Sequence, residues 1–424
     1  MTHLKTLLVS TLILGLSACS SGADETSDPV TAPSFDVAAM DSLLSSAVES
    51  GDVIGVQALV FDDGQTVYRN SFGLADRERN TPVKNDTVYR VYSMTKPMTS
   101  ALIMDLMEEG KLELSEPASK YIPQLALMKV VSMGEDGKPK YEDQTRPMTV
   151  EDLLLHRSGM AYGIFGGNPI EEAWQGAGLF DPQTSMADNM DKMPMLPLLG
   201  QPGEQWFYSY SIDILGRIAE VVTGQTLGEA FKERFFDPLG MTETSFQVSA
   251  ELKPRFASNY FLQEDGSFGL AEDGQTSPFT MPGKFESGGG GLTSTTDDWL
   301  KFARLLLNEG EYEGKRILEP ETVRLMMSDH LGDTPTLLPW IGGETGAGFG
   351  YGGSIQITST PEQEAASGRY PGQFGWGGAA RTNFWVDPEN DAIGIIMLQM
   401  FSAEDPQIHA DFQALTLAGT RDDK

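Results

Sequence analysis

Two strand-forming hairpins stand at opposite ends of a 424-residue chain whose middle reads as mostly helical. Near the start, Ile54 to Phe61 and Gln65 to Phe72 flank Asp62-Asp63-Gly64, a tight-turn signal between two apolar-rich runs. Near the end, T-N-F-W-V (Thr382–Val386) and A-I-G-I-I-M-L-Q-M (from Ala392) flank the turn Asp387–Asp391, and a helix is expected from about Gln407. This pattern predicts an α+β domain. One antiparallel sheet takes strands from both chain ends, is flanked by helices and carries a large helical insertion.

Local signals place the helices. Met40, Leu43, Leu44, Ala47 and Val48 recur at helical spacing between Asp36 and Ser50, and Gly51 follows. Thr149 with Asp152 opens V-E-D-L-L-L-H, and Thr226 with Glu229 forms a capping-box pattern before Leu227–Phe236, with Pro238 as its expected stop. Thr295-Thr296 opens a helix with Trp299, Phe302, Ala303 and Leu306 inward and Gly310 after it. Two stretches rich in Gly, Pro and Met, Tyr162 to Glu204 and Gly332 to Gly378, read as irregular apart from a strand-like S-I-Q-I-T. Such segments are lids, binding loops or plain surface.

Residues 1–18 have the form of a secretory signal, with Lys5 ahead of an apolar run from Leu7 to Leu16. Cys19 is the sole cysteine, so no internal disulfide forms. The L-S-A-C stretch resembles the lipobox of bacterial lipoproteins, which implies cleavage before Cys19 and a lipid anchor on it. Residues 19–34 read as a disordered tether, 35–415 as the catalytic domain and 416–424 as a tail. The implied location is the bacterial cell envelope, with Ser20 favouring the periplasmic face of the outer membrane. A net charge of −31 argues against nucleic acid as a partner.

The chemistry concentrates in V-Y-S-M-T-K-P-M-T-S, Val91 to Ser100. Pro97 fits only the first turn of a helix, which starts that helix close to Ser93 and puts Ser93 and Lys96 on one face. Apolar residues surround this helix on nearly every side, so it is buried, and Gly110 sits where its cap belongs. A serine at the positive helix end is favoured as an alkoxide, and a desolvated lysine one turn on can accept its proton. Two further stretches carry candidates. Pro202 to Gly216, P-G-E-Q-W-F-Y-S-Y-S-I-D-I-L-G, sets Tyr208 and Tyr210 just before a helix, and a tyrosine beside a lysine can act as general base. In F-G-W-G-G-A-A-R-T-N, Gly377 and Gly378 allow a close backbone or ligand approach where a strand is expected to begin, and a backbone N–H there can face that of Ser93 as an oxyanion hole.

S-M-T-K at 93–96, L-L-L-H-R-S-G at 153–159, P-G-E-Q-W-F-Y-S at 202–209, G-G-G-G-L-T-S-T at 288–295 and W-G-G at 376–378 occur in this order. Together they resemble the serine β-lactamase and penicillin-binding-protein superfamily, and within it the class C-like branch that includes family VIII carboxylesterases. The resemblance spans residues 35–415. It implies Ser93 as the acylated nucleophile, Lys96 as its activating partner, Tyr208 as the proton-transferring tyrosine, and the Ser93 and Ala379 N–H groups as the oxyanion hole. It implies no metal or cofactor. Two departures bear on substrate. Tyr210 replaces the asparagine two residues after the tyrosine, and Trp376 replaces the lysine of K-T-G, an apolar wall in place of a cation. Without that cation an anionic substrate loses a charge-assisted contact, unless Arg381 turns inward to supply one.

There is no G-x-S-x-G elbow, and no His/Asp/Glu spacing suggests zinc. His156 near Ser158 reads as a structural residue at a helix end. The leading expectation is a serine hydrolase of small, largely apolar carboxylic esters, with Trp376, Gly377, Gly378, Tyr210 and Arg381 around the substrate. The alternatives are a β-lactamase or D-alanyl-D-alanine carboxypeptidase acting on β-lactam-like substrates, and a non-hydrolytic cell-envelope sensor.

Overall fold

The two hairpins meet. In this computed structural model, which describes residues 35–134, 138–339, 341–342 and 345–421, eight strands form one antiparallel sheet. In chain order they are β1 (Gly55–Asp62), β2 (Gln65–Asp76), β3 (Thr81–Pro82), β4 (Ala347–Phe349), β5 (Ser354–Gln356), β6 (Phe374–Gly377), β7 (Asn383–Asp387) and β8 (Ala392–Met397). In space they run β4-β5-β6-β7-β8-β1-β2-β3, so β8 beside β1 joins the chain ends, with Gln57 opposite Met397 and Asp62 opposite Ala392. The turn at Asp63 and Gly64 has φ of +49° and +79°, which is why a short polar residue and a glycine stand there. The expected signal segment, Cys19 and tether lie outside the described residues.

Both faces of the sheet are covered, and the period-two alternation of β1 divides its residues between two cores. Val56, Ala58 and Val60 pack with Met40 and Leu44 of α1 (Val37–Glu49) and with Phe412 near the chain end. Leu59 and Phe61 join the larger core, shared with α2 (Thr95–Glu108), α3 (Ser211–Thr223) and α4 (Thr296–Leu307). Each such side chain is almost fully removed from water, a contribution of about 1.5–3 kcal/mol apiece for those larger than Ala58. α2 is buried on every side but that of Asp105, as its unbroken apolar girth predicts. It ends at Gly110 (φ +68°), with Lys111 N–H returning to the Leu106 carbonyl.

Several boundaries differ from expectation. The last helix, α5 (Gln407–Arg421), continues past residue 415, and Leu417 packs on Trp385 and Ala392, so residues 416–421 belong to the folded unit instead of a tail. β8 stops at Met397 because the buried Gln399 amide bonds both backbone groups of Arg90, after which Met400–Phe401 pairs parallel to Tyr260–Phe261. Pro238 does not stop its helix. The chain widens into a π-helix over Lys232–Phe236, which accommodates the proline, and Gly240 (φ +70°) ends the run. The strand-like S-I-Q-I-T holds β5 as expected, but the two stretches expected to be irregular also hold short helices and strands: Pro169–Gly176 and Met186–Met190 in the first, β4, β6 and Pro361–Ser367 in the second. Met186, Met190 and Met193 are core residues, and exposed Met195 is not.

Candidate active site

A 3-10 turn over Tyr92–Met94 leads directly into α2, so Ser93 sits at the mouth of that helix with Lys96 and Pro97 in its first turn. Tyr92, immediately before Ser93, has φ of +42°, a conformation costing about 1 kcal/mol or more for a side chain of that size. The surroundings hold it there. Val91 N–H donates to Leu292 O at 3.1 Å, and Leu292 N–H to Thr95 Oγ1 at 3.2 Å. The Tyr92 hydroxyl accepts from Asn259, and its ring meets Phe279 edge-on. No signal in the sequence marked this turn as strained.

Lys96 is completely buried. Its Nζ donates to Ser93 Oγ at 3.1 Å, to Tyr162 Oη at 3.1 Å and to Gly289 O at 2.5 Å, and it lies 4.6 Å above the ring of Tyr208. Burial pushes its amine down to about 7, against the opposing pull of Asp213. The hydroxyls of Tyr162 and Tyr208 face Ser93, which pulls both phenols down, and Trp376 Nε1–H donates to Tyr208 Oη at 3.1 Å. Burial raises both phenols above their ordinary range, Tyr208 against the lowering effect of Ser93 and Trp376. A lysine beside Tyr208 thus does not acidify it, because the ammonium faces the ring and not the hydroxyl. Of these groups, Lys96, held down to about 7, is the one that is partly deprotonated near neutral pH and able to take a proton from Ser93; Tyr208 arrives protonated and is placed to pass a proton on.

Tyr162 was not among the expected residues, yet it touches both Ser93 and Lys96. Its loop is folded around buried Glu171, whose carboxylate accepts the N–H groups of Tyr162, Gly163, Ile164 and Phe165 at 2.7–3.3 Å. The available signal was Asn168-Pro169, a capped helix start that brings Glu171 back over the loop.

A cavity of about 680 Å³ opens in front of Ser93, lined among others by Tyr208, Trp376, Gly377, Gly378 and Ala379. The exposed Ala379 has no partner for its N–H among the described residues, as an oxyanion donor requires, whereas Gly378 N–H is taken by Thr382 O. Gly377 and Gly378 lie where β6 ends, not where a strand begins. A Cβ at Gly378 would stand 2.4 Å from Val91 O, so the backbone that comes close is the one presenting Ser93. Trp376 is a wall, as expected, and also a hydrogen-bond donor, which was not expected.

Two expected substrate contacts fail. Tyr210 is fully buried, accepts from Asn189 Nδ2 and packs on Trp174 and Phe180. The chain turns into α3 at Ser211, which sends this ring into the core. Arg381 borders the cavity, but its guanidinium is held by Asp405 and by the hydroxyl and carbonyl of Ser402, so it does not replace the missing lysine. His156 is structural: its Nδ1 accepts Ser209 N–H, its ring lies 4.7 Å from that of Tyr208, and Ser158 bonds Ser211 instead. Among the described residues no group of three or more His, Cys, Asp or Glu side chains is placed to hold a metal ion.

The profile of the Beta-lactamase family matches residues 40–418. An uncharacterized protein of Mycobacterium tuberculosis is 35% identical over 83% of this chain and 87% of its own length. Esterase EstB of Burkholderia gladioli is 30% identical over 88% and 92%. Among solved structures, EstCE1, described as a hydrolase with promiscuous acyltransferase activity, aligns with a TM-score of 0.72 at 25% identity over 88% of this chain and 97% of that one. With a sheet closed by both chain ends and a serine and lysine at the head of a buried helix, the chain belongs to the Beta-lactamase family and is a serine hydrolase of the branch near family VIII carboxylesterases.

Proposed function

We propose that the protein is a carboxylesterase acting on small, largely apolar, uncharged esters through an acyl-enzyme on Ser93. The reading is carried by the convergence on one cavity of Ser93, bonded by buried Lys96 at 3.1 Å, and Tyr208, whose hydroxyl is held by the Trp376 indole at 3.1 Å. Ser93 Oγ bonds to the ester carbonyl carbon as its proton moves to Lys96. The carbonyl oxygen becomes an oxyanion between the Ser93 and Ala379 N–H groups. When the C–O bond to the alcohol breaks, a proton returns through Tyr208 to the departing oxygen. Water then repeats the sequence in reverse and frees Ser93. The apolar preference rests on Trp376 and Ile164 at the cavity and on the engagement of Arg381 elsewhere.

Purified protein is expected to hydrolyse a short-chain nitrophenyl ester and to lose that activity in Ser93→Ala. Undiminished turnover in the variant contradicts the reading. Penicillin labelling of Ser93 with no ester cleavage selects the β-lactamase or peptidase alternative, and failure of a fluorophosphonate to label any serine selects the sensor. The signal-like segment and Cys19 support export and lipid anchoring in the cell envelope. Radiolabelled palmitate is expected in the wild-type protein and not in Cys19→Ala.

A further inference from the structure

Asp213 stands in the first turn of α3, where an acidic side chain is ordinarily explained by the helix dipole. Its contacts say more. Its Oδ1 accepts the Ser287 hydroxyl at 2.5 Å and the Gly289 N–H at 3.1 Å, and it is Gly289 whose carbonyl receives Lys96 Nζ. The side chain is fully buried, and Oδ2 has no hydrogen-bond partner among the described residues. A Cβ on Gly289 would stand 2.3 Å from that oxygen, so the glycine lets the loop close on the carboxylate.

A buried carboxylate oxygen with no partner is costly unless a cation is near. The cation in its field is Lys96: burial pushes the Asp213 carboxyl up, opposed by Lys96, the Ser287 hydroxyl and the Gly289 N–H, while Asp213 in turn pulls the Lys96 amine up against burial. The other titratable groups facing the pair are Tyr162, Tyr208 and Tyr210, whose phenols are all raised, and His156, which burial and Lys96 keep neutral. As a carboxylate held by Ser287 and Gly289, Asp213 supplies the negative charge against which the lysine changes state.

We propose that Asp213 is a positioning residue for the reaction: it clamps the Gly289 carbonyl onto Lys96, and its unpartnered oxygen stabilises the ammonium formed when the Ser93 proton arrives. The proton leaves Ser93 Oγ and ends on Lys96 Nζ, while Asp213 stays a carboxylate throughout. The inference rests on the reading of Lys96 as the base.

Asp213→Asn separates charge from shape, because an amide oxygen still accepts from Ser287 and Gly289. Without the carboxylate, Lys96 loses its proton more readily and is a weaker base. The rate at high pH is expected to fall about tenfold or more, while the acid limb of the pH profile moves to lower pH. A purely structural role lowers the rate and leaves the limb in place. Ser287→Ala removes a hydrogen bond and keeps the charge, so its limb does not move down.

The profile is measured twice, by nitrophenyl ester turnover and by the rate at which a fluorophosphonate labels Ser93. An Asp213→Asn limb that coincides with wild type, or moves up, overturns the proposal. If that variant does not fold, Asp213→Glu keeps the charge and is expected to hold the wild-type limb; a downward shift there overturns it equally. Wild-type protein that is labelled at Ser93 but cleaves no ester contradicts the esterase reading alone, and the labelling profile still tests Asp213.

Discussion

On one side of the cleft, Lys96 is fully enclosed, its Nζ within hydrogen-bond distance of Ser93, Tyr162 and Gly289. On the other, Trp376, Gly377 and Ala379 at the end of β6 stand open to the cavity, and this side bonds the enclosed one through the Trp376 indole. The enclosed side can set protonation states, because burial and fixed partners move a pKa only where water is kept out. The open side can change its side chains, and with them the substrate, without disturbing the base. Where the superfamily pattern has the lysine of K-T-G, this chain sets the Trp376 ring at the cavity wall.

That contrast breaks most sharply at Lys96. Lys96→Ala is expected to lower kcat/KM by about a thousandfold or more while the fold survives, since the side chain's role is chemical. In the wild type the sign is set by burial: the amine, held down to about 7, must be neutral to take the proton. Activity therefore rises with pH through about 7 and levels above it, and a profile already flat below pH 6 contradicts this assignment.

The next largest effect is expected at Glu171. Glu171→Ala leaves four N–H groups of the 162–165 loop, two of them buried, without their acceptor. Stability is expected to fall by about 3 kcal/mol and the rate by about a hundredfold as Tyr162 is displaced. A lowered Tm with an unchanged rate would remove Tyr162 from the machinery.

On the open side the effects are smaller. Trp376→Phe keeps a wall and deletes the donor to Tyr208, so kcat is expected to drop about tenfold with KM little changed. A rise in KM instead would make Trp376 a binding residue only. Arg381→Ala is expected to change kcat/KM for an uncharged ester less than about twofold, because its partners lie at Ser402 and Asp405. A large loss would show that the guanidinium swings into the cleft.

The sequence made different parts of this legible for physical reasons. Ser93, Lys96 and the capping boxes at Thr149 and Thr226 were readable because helix starts are local: a proline, a hydroxyl and an acid within one turn suffice. The sheet was readable from its two turns and β5 from the strand-like S-I-Q-I-T, whereas β4 and β6 were not, because they are three or four residues long and set among glycines. Tyr162 depends on a carboxylate nine residues ahead and a lysine 66 residues behind, and no short pattern joins them. Asp213 was hidden by a commonplace role, an acid in the first turn of a helix. Tyr210 was read as a substrate contact because it stands where the superfamily pattern has its asparagine, and the helix that begins at Ser211 sends its ring into the core.

The central claim is that Ser93 carries the acyl group, and intact-protein mass spectrometry tests it most directly. After mixing with a slowly released nitrophenyl ester, the protein is expected to gain the mass of one acyl group on the peptide containing Ser93, with no gain in Ser93→Ala. Ester turnover without that adduct, or an adduct that persists in Ser93→Ala, would contradict the account.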